Sequence, residues 1–561
     1  MFSHFLRRIG AVRWAIPAAV VVRAAGRRWR LAPGAALPDL ADGAAVVVKS
    51  NPYRTISRVE LPGGAVYVKH LRPRGLRAWM REVVRPPKAQ LEFENALLLA
   101  ARGVPTVEPV AWGGPDSAWP GESLLVTRAR DAAVPFTEFL EALPSRPPVE
   151  RRRAAAALGR FLARLHDAGV THPDPHPGNL LIEGERFDLL DLHAVRFSAP
   201  LTWPEARANL VLFNRWFQLR ATRADRLRFW AAYRAARRAP IERAAGRQIE
   251  DATAASNLRF WAARVRDCLG RTRHYPRVSG GFAVRDLGAA AVAVVDVARR
   301  AEPRQGPGAY PPPTASDVIR HACLTRPLTG LGSPAVRILK DSRTSTVVAL
   351  TLPDGRRAVL KRVNVRRWWE PLKNLFRPSA VLRSWVAGHA LRDRWLPTPR
   401  PLAVVHRRRF GLPAEGYLLV EEVPGAVGLA EAVAAGVPLD DLIPRLARVV
   451  RLMHDRHVSH RDLKAANVLL ANGTGPTFID LVGVRVGRPV SVAQRAKELA
   501  RLNASFLASP RVCHADRLQF LRAYLAAGPA LGGDWRSWWA AVSLATDAKV
   551  AKNRKSGRVL S

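Results

Sequence analysis

One loop in the C-terminal part of the chain combines residue types that could move a proton and hold phosphate groups. The string HRDLKAAN occupies residues 460–467, and Asp480 follows Asn467 in an apolar, strand-like context. An Asp in such a loop can accept or orient the proton of a hydroxyl group, whereas an Asn five residues later and an Asp at a strand end can hold magnesium on phosphates. The spacing is the catalytic-loop pattern of kinases, and it predicts phosphoryl transfer.

A second loop, earlier in the chain, repeats this spacing. The string HPDPHPGN occupies residues 172–179, so that Asp174 precedes Asn179 by five positions, and Asp191 follows twelve residues after Asn179. The two loops differ two positions after the Asp, where the later loop has Lys464, which could contact a transferred phosphate, and the earlier loop has His176. Both loops therefore keep the Asp, Asn and Asp constellation.

Each loop is preceded by a lysine that ends a strand-like segment. Lys69 ends AVYVK and Lys361 ends AVLK, and these lysines are predicted to pair with nucleotide phosphates. A kinase needs a Glu on the following helix to hold that lysine, and Glu92 is predicted for this role, with Glu94 as the fallback. The position equivalent to Glu92 in the second repeat is Ser384, which cannot form an ion pair. Each repeat thus lacks one part of a complete set.

The segments that would cover a nucleotide depart from the usual glycine-rich pattern. No GxGxxG string precedes either lysine, and the equivalent stretches are KSNPYRTIS from Lys49 and KDSRTSTV from Lys340. We expect Ser, Thr and Arg side chains to supply the donors there. The strand-end Asp residues are followed by Leu-His or Leu-Val in place of Phe-Gly, and no APE string follows. A regulated activation segment is therefore not predicted.

The elements that must position these residues occur twice. Residues 66–109 align with 358–401 at a constant offset, and three further blocks match in the same order. Each repeat begins with apolar runs closed by Gly-containing turns, which predict antiparallel hairpins, and continues with apolar residues at helical spacing. The predicted fold class is α+β, with two tandem domains that each have a small antiparallel β lobe and a helical lobe. The predicted boundaries are 1–300, a Pro/Gly-rich linker at 301–316, and 317–561.

Composition limits the partners and the compartment. The chain has 561 residues, 48% of them hydrophobic, and 89 Lys and Arg against 46 Asp and Glu give a formal charge of +43. Three explanations fit this excess of basic residues: binding to nucleic acid, binding to an anionic membrane or glycolipid surface, and a compositional bias toward Arg. No nucleic-acid-binding signature supports binding to nucleic acid. Three scattered cysteines favour a reducing cytoplasm. Apolar stretches at 9–22 and 288–298 are too short to span a membrane, and the second predicts a buried helix.

Together with the loops, three paired segments carry a family resemblance. These are GVPTVEPVAWG with LPTPRPLAV, SLLVTRA with YLLVEEV, and NLVLFN with ELARLN. Both repeats resemble the lipopolysaccharide kinase family, the bacterial Kdo and core-heptose kinases that share the protein-kinase-like fold. The resemblance implies ATP and Mg²⁺, with Asp174 and Asp462 as catalytic bases. The remaining roles it implies are nucleotide binding by Lys69, Glu92 and Lys361, and metal binding by Asn179, Asp191, Asn467 and Asp480.

The expected function is phosphorylation of a sugar hydroxyl on the lipopolysaccharide core or a related glycolipid. The expected location is the cytoplasm, with peripheral association with the inner face of the cytoplasmic membrane. Two alternatives remain open: a bacterial Ser/Thr protein kinase, suggested by HRDLKAAN, and a tandem pseudokinase that binds nucleotide without transfer, suggested by Ser384 and Pro173. The string DPHPGN also resembles that of UbiB-type and small-molecule kinases, which leaves the acceptor open.

Overall fold

The chain divides into two units, Met1–Asn257 and Leu258–Ser561. The computed structural model describes residues 20–40, 43–117, 119–270, 272, 274–278, 281–285, 287, 336–342, 345–352, 354–363, 377–409, 412–471 and 475–555. None of the helices within these ranges combines the length and the apolar character needed to cross a membrane.

The first unit opens with a seven-stranded antiparallel sheet in the order β1-β2-β6-β7-β5-β4-β3. Its strands are β1 Val20–Ala24, β2 Arg27–Leu31, β3 Ala44–Asn51, β4 Arg54–Glu60, β5 Val66–Leu71, β6 Pro109–Pro115 and β7 Ser123–Arg128. The predicted hairpin around Pro62 is β4-β5, in which alternate apolar residues such as Val59 and Val66 are buried against Trp29 and Val126. The sheet therefore holds β5, which carries Lys69, between β4 and β7.

Two helices lie between β5 and β6, and a helical lobe with short strands follows the sheet. The helices of this unit are α1 Leu76–Val84, α2 Lys88–Ala101, α3 Phe136–Glu141, α4 Pro148–Asp167, α5 Trp203–Arg220 and α6 Arg223–Ala236, and α7 Ala245–Asp267 runs across the division between the units. The short strands are β8 Val134–Pro135, β9 Val170–Thr171, β10 Leu180–Glu183, β11 Arg186–Leu189 and β12 Arg196–Phe197. Leu158, Phe161, Leu165 and Phe187 form the centre of a core to which α4 and β11 both contribute.

The second unit has a sheet of the same order, β13-β14-β18-β19-β17-β16-β15, and it is also antiparallel. Its strands are β13 Arg277–Val278, β14 Gly281–Ala283, β15 Val336–Asp341, β16 Ser345–Thr351, β17 Arg357–Val363, β18 Pro401–Arg409 and β19 Leu412–Glu421. The helices are α8 Ala380–Asp393, α9 Leu429–Ala434, α10 Leu439–Asp455, α11 Val492–Ala504, α12 His514–Ala526 and α13 Trp535–Lys555. The short strands are β20 Val427–Gly428, β21 Val458–His460, β22 Val468–Ala471, β23 Gly475–Phe478 and β24 Val484–Val486. The predicted α+β duplication, a sheet followed by a helical lobe in each unit, is confirmed.

The division between the units lies upstream of the boundary predicted at residue 300. Strand β14 pairs with β18 and β13 pairs with β14, and the Trp385 indole Nε1 donates to the Cys268 carbonyl oxygen at 2.9 Å, so that the described residues between 258 and 287 pack within the second unit. In the chain, the predicted linker at 301–316 therefore lies between two strands of one sheet. The Pro and Gly content of residues 301–316 indicates a break in regular secondary structure. Strand pairing, however, decides to which unit the residues before this segment belong. The linker and the helix predicted at 288–298 lie outside the described residues.

Candidate active site

In the first unit, strand β5 and helix α2 bring a lysine and a glutamate together. The Lys69 ammonium Nζ lies 2.6 Å from Glu92 Oε1 and 2.8 Å from Oε2, and both side chains are largely buried. Helix α2 is fixed by Phe93 and Leu99, which are fully buried, and by Asn95, whose side-chain amide donates to the Leu192 carbonyl at 2.7 Å. The predicted partner Glu92 is therefore the one that contacts Lys69.

The fallback residue Glu94 points elsewhere on the same helix. Its carboxylate contacts Arg30 at 3.3 Å and accepts from the Gln90 amide at 2.8 Å. Residues two positions apart on a helix lie on different faces, so one of the two glutamates can meet β5 while the other faces β2.

The HPDPHPGN loop of the first unit is held by its own buried histidine. His172 Nε2 donates to the Asp191 carbonyl at 3.3 Å, and its Nδ1 accepts from the Asp174 backbone N–H at 3.1 Å. Burial lowers the pKa of His172 and so favours this neutral form. The Asn179 side-chain amide donates to the Asp174 carbonyl at 3.1 Å, while Asp174 itself is exposed. The loop thus presents the Asp174 carboxylate to solvent on a fixed backbone.

Asp191 lies at the junction of these two parts. Its φ angle of 56° is left-handed, a conformation that costs free energy for a non-glycine residue, and Asp480 has the same feature at 53°. The Asp191 Oδ1 lies 3.4 Å from Lys69 Nζ and 3.0 Å from His193 Nδ1. Burial alone would raise the pKa of Asp191, but the His193 hydrogen bond and the Lys69 charge outweigh burial and hold the pKa well below its usual range.

His193 is a site residue to which the sequence assigns no role. Besides Asp191, its Nδ1 lies 3.5 Å from Glu92 Oε1. Hydrogen bonds to these two carboxylates raise the pKa of His193 to about 9, so the imidazole is charged at neutral pH. The signal that could have found it is its position two residues after the strand-end Asp, where the second unit has Val482.

The second unit arranges its lysine differently. Lys361 Nζ lies 2.7 Å from Asp480 Oδ1, and the Ser384 hydroxyl donates to the Ala380 carbonyl of its own helix at 3.1 Å. Ser384 is buried at the position equivalent to Glu92 and turns its polar atom back onto α8. The lysine of this unit is therefore held by the strand-end Asp, and among the described residues no helix glutamate contacts it as Glu92 contacts Lys69.

The HRDLKAAN loop of the second unit is fully formed. The His460 Nε2 donates to the Ile479 carbonyl at 3.2 Å, and the Asn467 amide donates to the Asp462 carbonyl at 2.8 Å and to its Oδ2 at 3.1 Å. The His460 backbone N–H donates to the buried Glu498 carboxylate at 2.8 Å. The structure therefore brings Asp462, Asn467 and Asp480 to one end of the helical lobe, as the spacing predicts for a kinase loop.

The residues two positions after each catalytic-loop Asp also differ in their surroundings. His176 Nδ1 accepts from the Gly178 backbone N–H at 2.8 Å, and its ring meets Trp216 edge to face with 4.0 Å between centroids. His176 therefore shapes the loop from inside. Lys464 is half-buried at the start of the 3-10 turn Ala465–Asn467 in the second unit.

The two segments that precede Lys69 and Lys361, and that would cover a nucleotide, carry basic side chains in place of glycines. A register shift interrupts the β3-β4 pairing just before Lys49, and a matching shift interrupts the β15-β16 pairing just before Lys340. The charge of Arg54, in the β3-β4 hairpin, contributes to lowering the pKa of Asp191, and the charge of Lys340 contributes to lowering the pKa of Asp480. Positive charge thus faces the site in both units.

The donor set of the first unit fits magnesium. Mg²⁺ prefers oxygen ligands, and the site offers the Asp191 carboxylate together with the amide oxygen of Asn179, whose nitrogen is already engaged. One ligand atom each from Glu92, Asp191 and His193 lie within 4.8 Å of one another. However, Glu92 is bound to Lys69 and Mg²⁺ prefers oxygen ligands to an imidazole nitrogen, so Asn179 and Asp191 are the better candidates.

Comparisons with known proteins identify relatives of both units. The model of the "Lipopolysaccharide kinase (Kdo/WaaP) family" matches residues 49–233 and 359–524, which is more than half of the chain. A 3-deoxy-D-manno-octulosonic acid kinase of Vibrio cholerae serotype O1 is 32% identical over 116 residues, covering 21% of this chain and 48% of the relative. A Haemophilus influenzae protein of the same name is 26% identical over 146 residues, covering 25% of this chain and 61% of the relative.

The chain thus spans about half to three fifths of the length of these curated relatives. Among solved structures, the chain is similar to one described as "WaaP in complex with acyl carrier protein". That similarity has 24% identity and a TM-score of 0.29, and it covers 38% of this chain and 90% of the other.

Proposed function

Because the chain belongs to the lipopolysaccharide kinase (Kdo/WaaP) family, we propose that it transfers the γ-phosphate of ATP to a sugar hydroxyl of the lipopolysaccharide core or a related glycolipid. The observation that carries this proposal is that Lys69 contacts both Glu92 and Asp191, while His172 bonds the Asp191 carbonyl and the backbone N–H of the exposed Asp174. A kinase needs these parts together, because phosphoryl transfer depends on positioning and on electrostatic stabilisation.

Each site residue of the first unit has its own role in the proposed reaction. The acceptor oxygen forms a bond to the γ-phosphorus, the bond between that phosphorus and the oxygen retained by ADP breaks, and Asp174 accepts the hydroxyl proton. Lys69, held by Glu92, places its positive charge against the phosphates. Asn179 and Asp191 would hold Mg²⁺, which when bound neutralises charge on the phosphate oxygens.

We propose that the first unit is the catalytic one and that the second is degenerate and supports or regulates it. The support for this assignment is Ser384, which stands where the first unit has Glu92. Among the described contacts, Asp480 therefore supplies the one carboxylate that pairs with Lys361. The intact loop around Asp462 and the nearby Lys464 still favour nucleotide binding there. Nucleotide binding without transfer is the property expected of a pseudokinase unit.

The acceptor sets the proposed location. A glycolipid precursor in the cytoplasm is held in the inner membrane, so we place the enzyme in the cytoplasm at that surface. The chain's formal charge of +43 suits a polyanionic acceptor and an anionic membrane. Nucleic acid is not a proposed partner, since no recognition motif accompanies the charge.

The test is transfer of labelled γ-phosphate from ATP to a bacterial glycolipid extract and, separately, to a generic protein substrate. We expect label in the glycolipid, dependence on Mg²⁺, and loss of the label in the Asp174→Asn variant. Label in the protein substrate would support the Ser/Thr kinase alternative. ATP binding without label in either acceptor would support the tandem pseudokinase and would overturn the proposal.

A further inference from the structure

Helix α1, Leu76–Val84, presents an apolar face to solvent. Its residues Leu76, Met80, Val83 and Val84 are between 52 and 80% exposed, and none of the helix residues is buried. At 100° per residue, these four side chains fall within one third of the helix circumference. Soluble proteins rarely expose such a contiguous apolar sector without a partner for it.

Arginines line one edge of this face. Arg77 and Arg81 lie on the helix and Arg85 directly follows its last residue; the three recur every four residues and are all exposed. On the other side of the arginines, Glu82 is turned toward the protein with its side chain only 7% exposed, and it binds Arg81 at 3.2 Å. The acidic residue thus faces inward, whereas the apolar residues and the basic row face outward together.

A tryptophan of the helix and one outside it extend the apolar face. Trp79 stacks on Trp119, with 5.8 Å between ring centroids, and Trp119 is 66% exposed. Tryptophan is enriched where proteins meet the interface of a lipid bilayer, because its ring is apolar and its N–H can remain hydrated. A tryptophan pair beside an exposed basic amphipathic helix has the composition of an interfacial surface.

We propose that α1, together with Trp119, docks on an anionic lipid surface, with the apolar face entering the headgroup region and the arginines contacting lipid phosphates. Charge complementarity selects this occupant: three exposed arginines and a strongly basic chain favour an anionic bilayer over a second copy of the same basic protein.

The helix is also near the site. Helix α1 ends at Val84, α2 begins four residues later at Lys88, and Glu92 lies about one turn further along α2. A membrane held by α1 would therefore lie close to the reacting groups. This inference deepens the proposed function by naming the surface on which the glycolipid acceptor is met.

The test is flotation of the full-length protein with phosphatidylcholine vesicles, with and without phosphatidylglycerol, in the absence of ATP and acceptor. We expect binding only with phosphatidylglycerol, and a decline in binding as salt is raised. Neutralising Arg77, Arg81 and Arg85 to Gln should weaken binding by about 100-fold, since each basic residue near the surface contributes about fivefold. Leu76→Ser with Val84→Ser should weaken it by at least about tenfold.

The matched control is Leu227→Ser, because Leu227 is 56% exposed on α6 and lies outside the proposed surface. It should bind vesicles like the wild type. Binding that is unchanged in the α1 variants, or absent in the wild type, would overturn the proposal. A dimer in solution that the α1 variants dissolve would assign the face to a second copy and would overturn it as well.

Phosphotransfer to a water-soluble core oligosaccharide separates this inference from the proposed function. The α1 variants should keep that activity while losing vesicle binding. If wild-type protein binds anionic vesicles but transfers no phosphate to any acceptor, the proposed function fails and the docking surface stands.

Discussion

Replacing Glu92 with Gln should disable the first unit without unfolding it. The substitution keeps the shape of the side chain but removes the charge that holds Lys69 through contacts of 2.6 and 2.8 Å. Lys69 would then be drawn to Asp191, now 3.4 Å away, which is the arrangement that Lys361 and Asp480 already show at 2.7 Å. The variant should therefore convert the first unit into the state of the second.

The size of the effect follows from the two hydrogen bonds. A hydrogen bond to a charged group contributes about 1.5–3 kcal/mol, and a Gln side chain can still accept one bond from the lysine. A net loss of about 3 kcal/mol in the positioning of Lys69 corresponds to a decrease of about 100-fold in kcat/KM.

The assay is phosphate transfer from ATP at varied substrate concentrations, with thermal unfolding measured on the same preparations. Glu94→Gln is the matched control, since Glu94 lies on the same helix and binds Arg30 and Gln90 but not Lys69. It should retain wild-type activity. If Glu92→Gln stays within about threefold of the wild type while folded, Lys69 does not act through Glu92 and the reasoning fails.

Three further predictions concern the histidine, the second lysine and the unit boundary. His193→Val should flatten the pH dependence of stability, which urea unfolding at several pH values will measure. The folded pKa of His193, about 9, exceeds its unfolded value of 6.5. The contribution of His193 to the free energy of unfolding, at most about 3 kcal/mol, is therefore present below pH 6.5 and lost as the pH rises through 9. A stability difference between variant and wild type that is independent of pH would contradict this. Lys361→Met should leave transfer within about twofold of wild type, whereas Lys69→Met should abolish it, and equal losses in the same kinetic assay would contradict the assignment of activity to the first unit. The fragment 258–561 should show cooperative unfolding by circular dichroism, whereas 301–561 should not, because it lacks β14, which pairs with β18, and β13, which pairs with β14; equal behaviour would place the boundary downstream.

Sequence reasoning predicts the architecture because the duplication is a repeated pattern, which local propensity and spacing reveal. The hairpin and helix patterns predict β4-β5, β16-β17, α5 and α11 because each combines a clear period with turn residues at its ends. The spacing of the loop residues predicts that Asp174, Asn179 and Asp191 converge, since a short loop and one hairpin connect them. The contact between Lys69 and Glu92 is also predicted, from the place of Glu92 in the helix that follows the strand of Lys69, with Glu94 as the fallback that the helix face then excludes.

The differences arise where pairing over long sequence distances decides the outcome. Residues 258–287 join the second unit through β14 and Trp385, and no local pattern distinguishes that choice from packing with the first unit. The role of His193 is not predicted from the sequence, because it depends on the carboxylates of Glu92 and Asp191, which meet only in the folded chain. The exposure of the apolar face of α1 is not predicted from the sequence, because amphipathic spacing indicates a helix but not which of its sides faces the protein.

We propose that the first unit performs the transfer and that the second does not. A comparison of Asp174→Asn with Asp462→Asn, in the same assay of phosphate transfer from ATP to the glycolipid acceptor, separates the two units. We expect a loss of at least about 100-fold in Asp174→Asn and near wild-type transfer in Asp462→Asn. Loss of transfer in Asp462→Asn with activity retained in Asp174→Asn would place catalysis in the second unit instead.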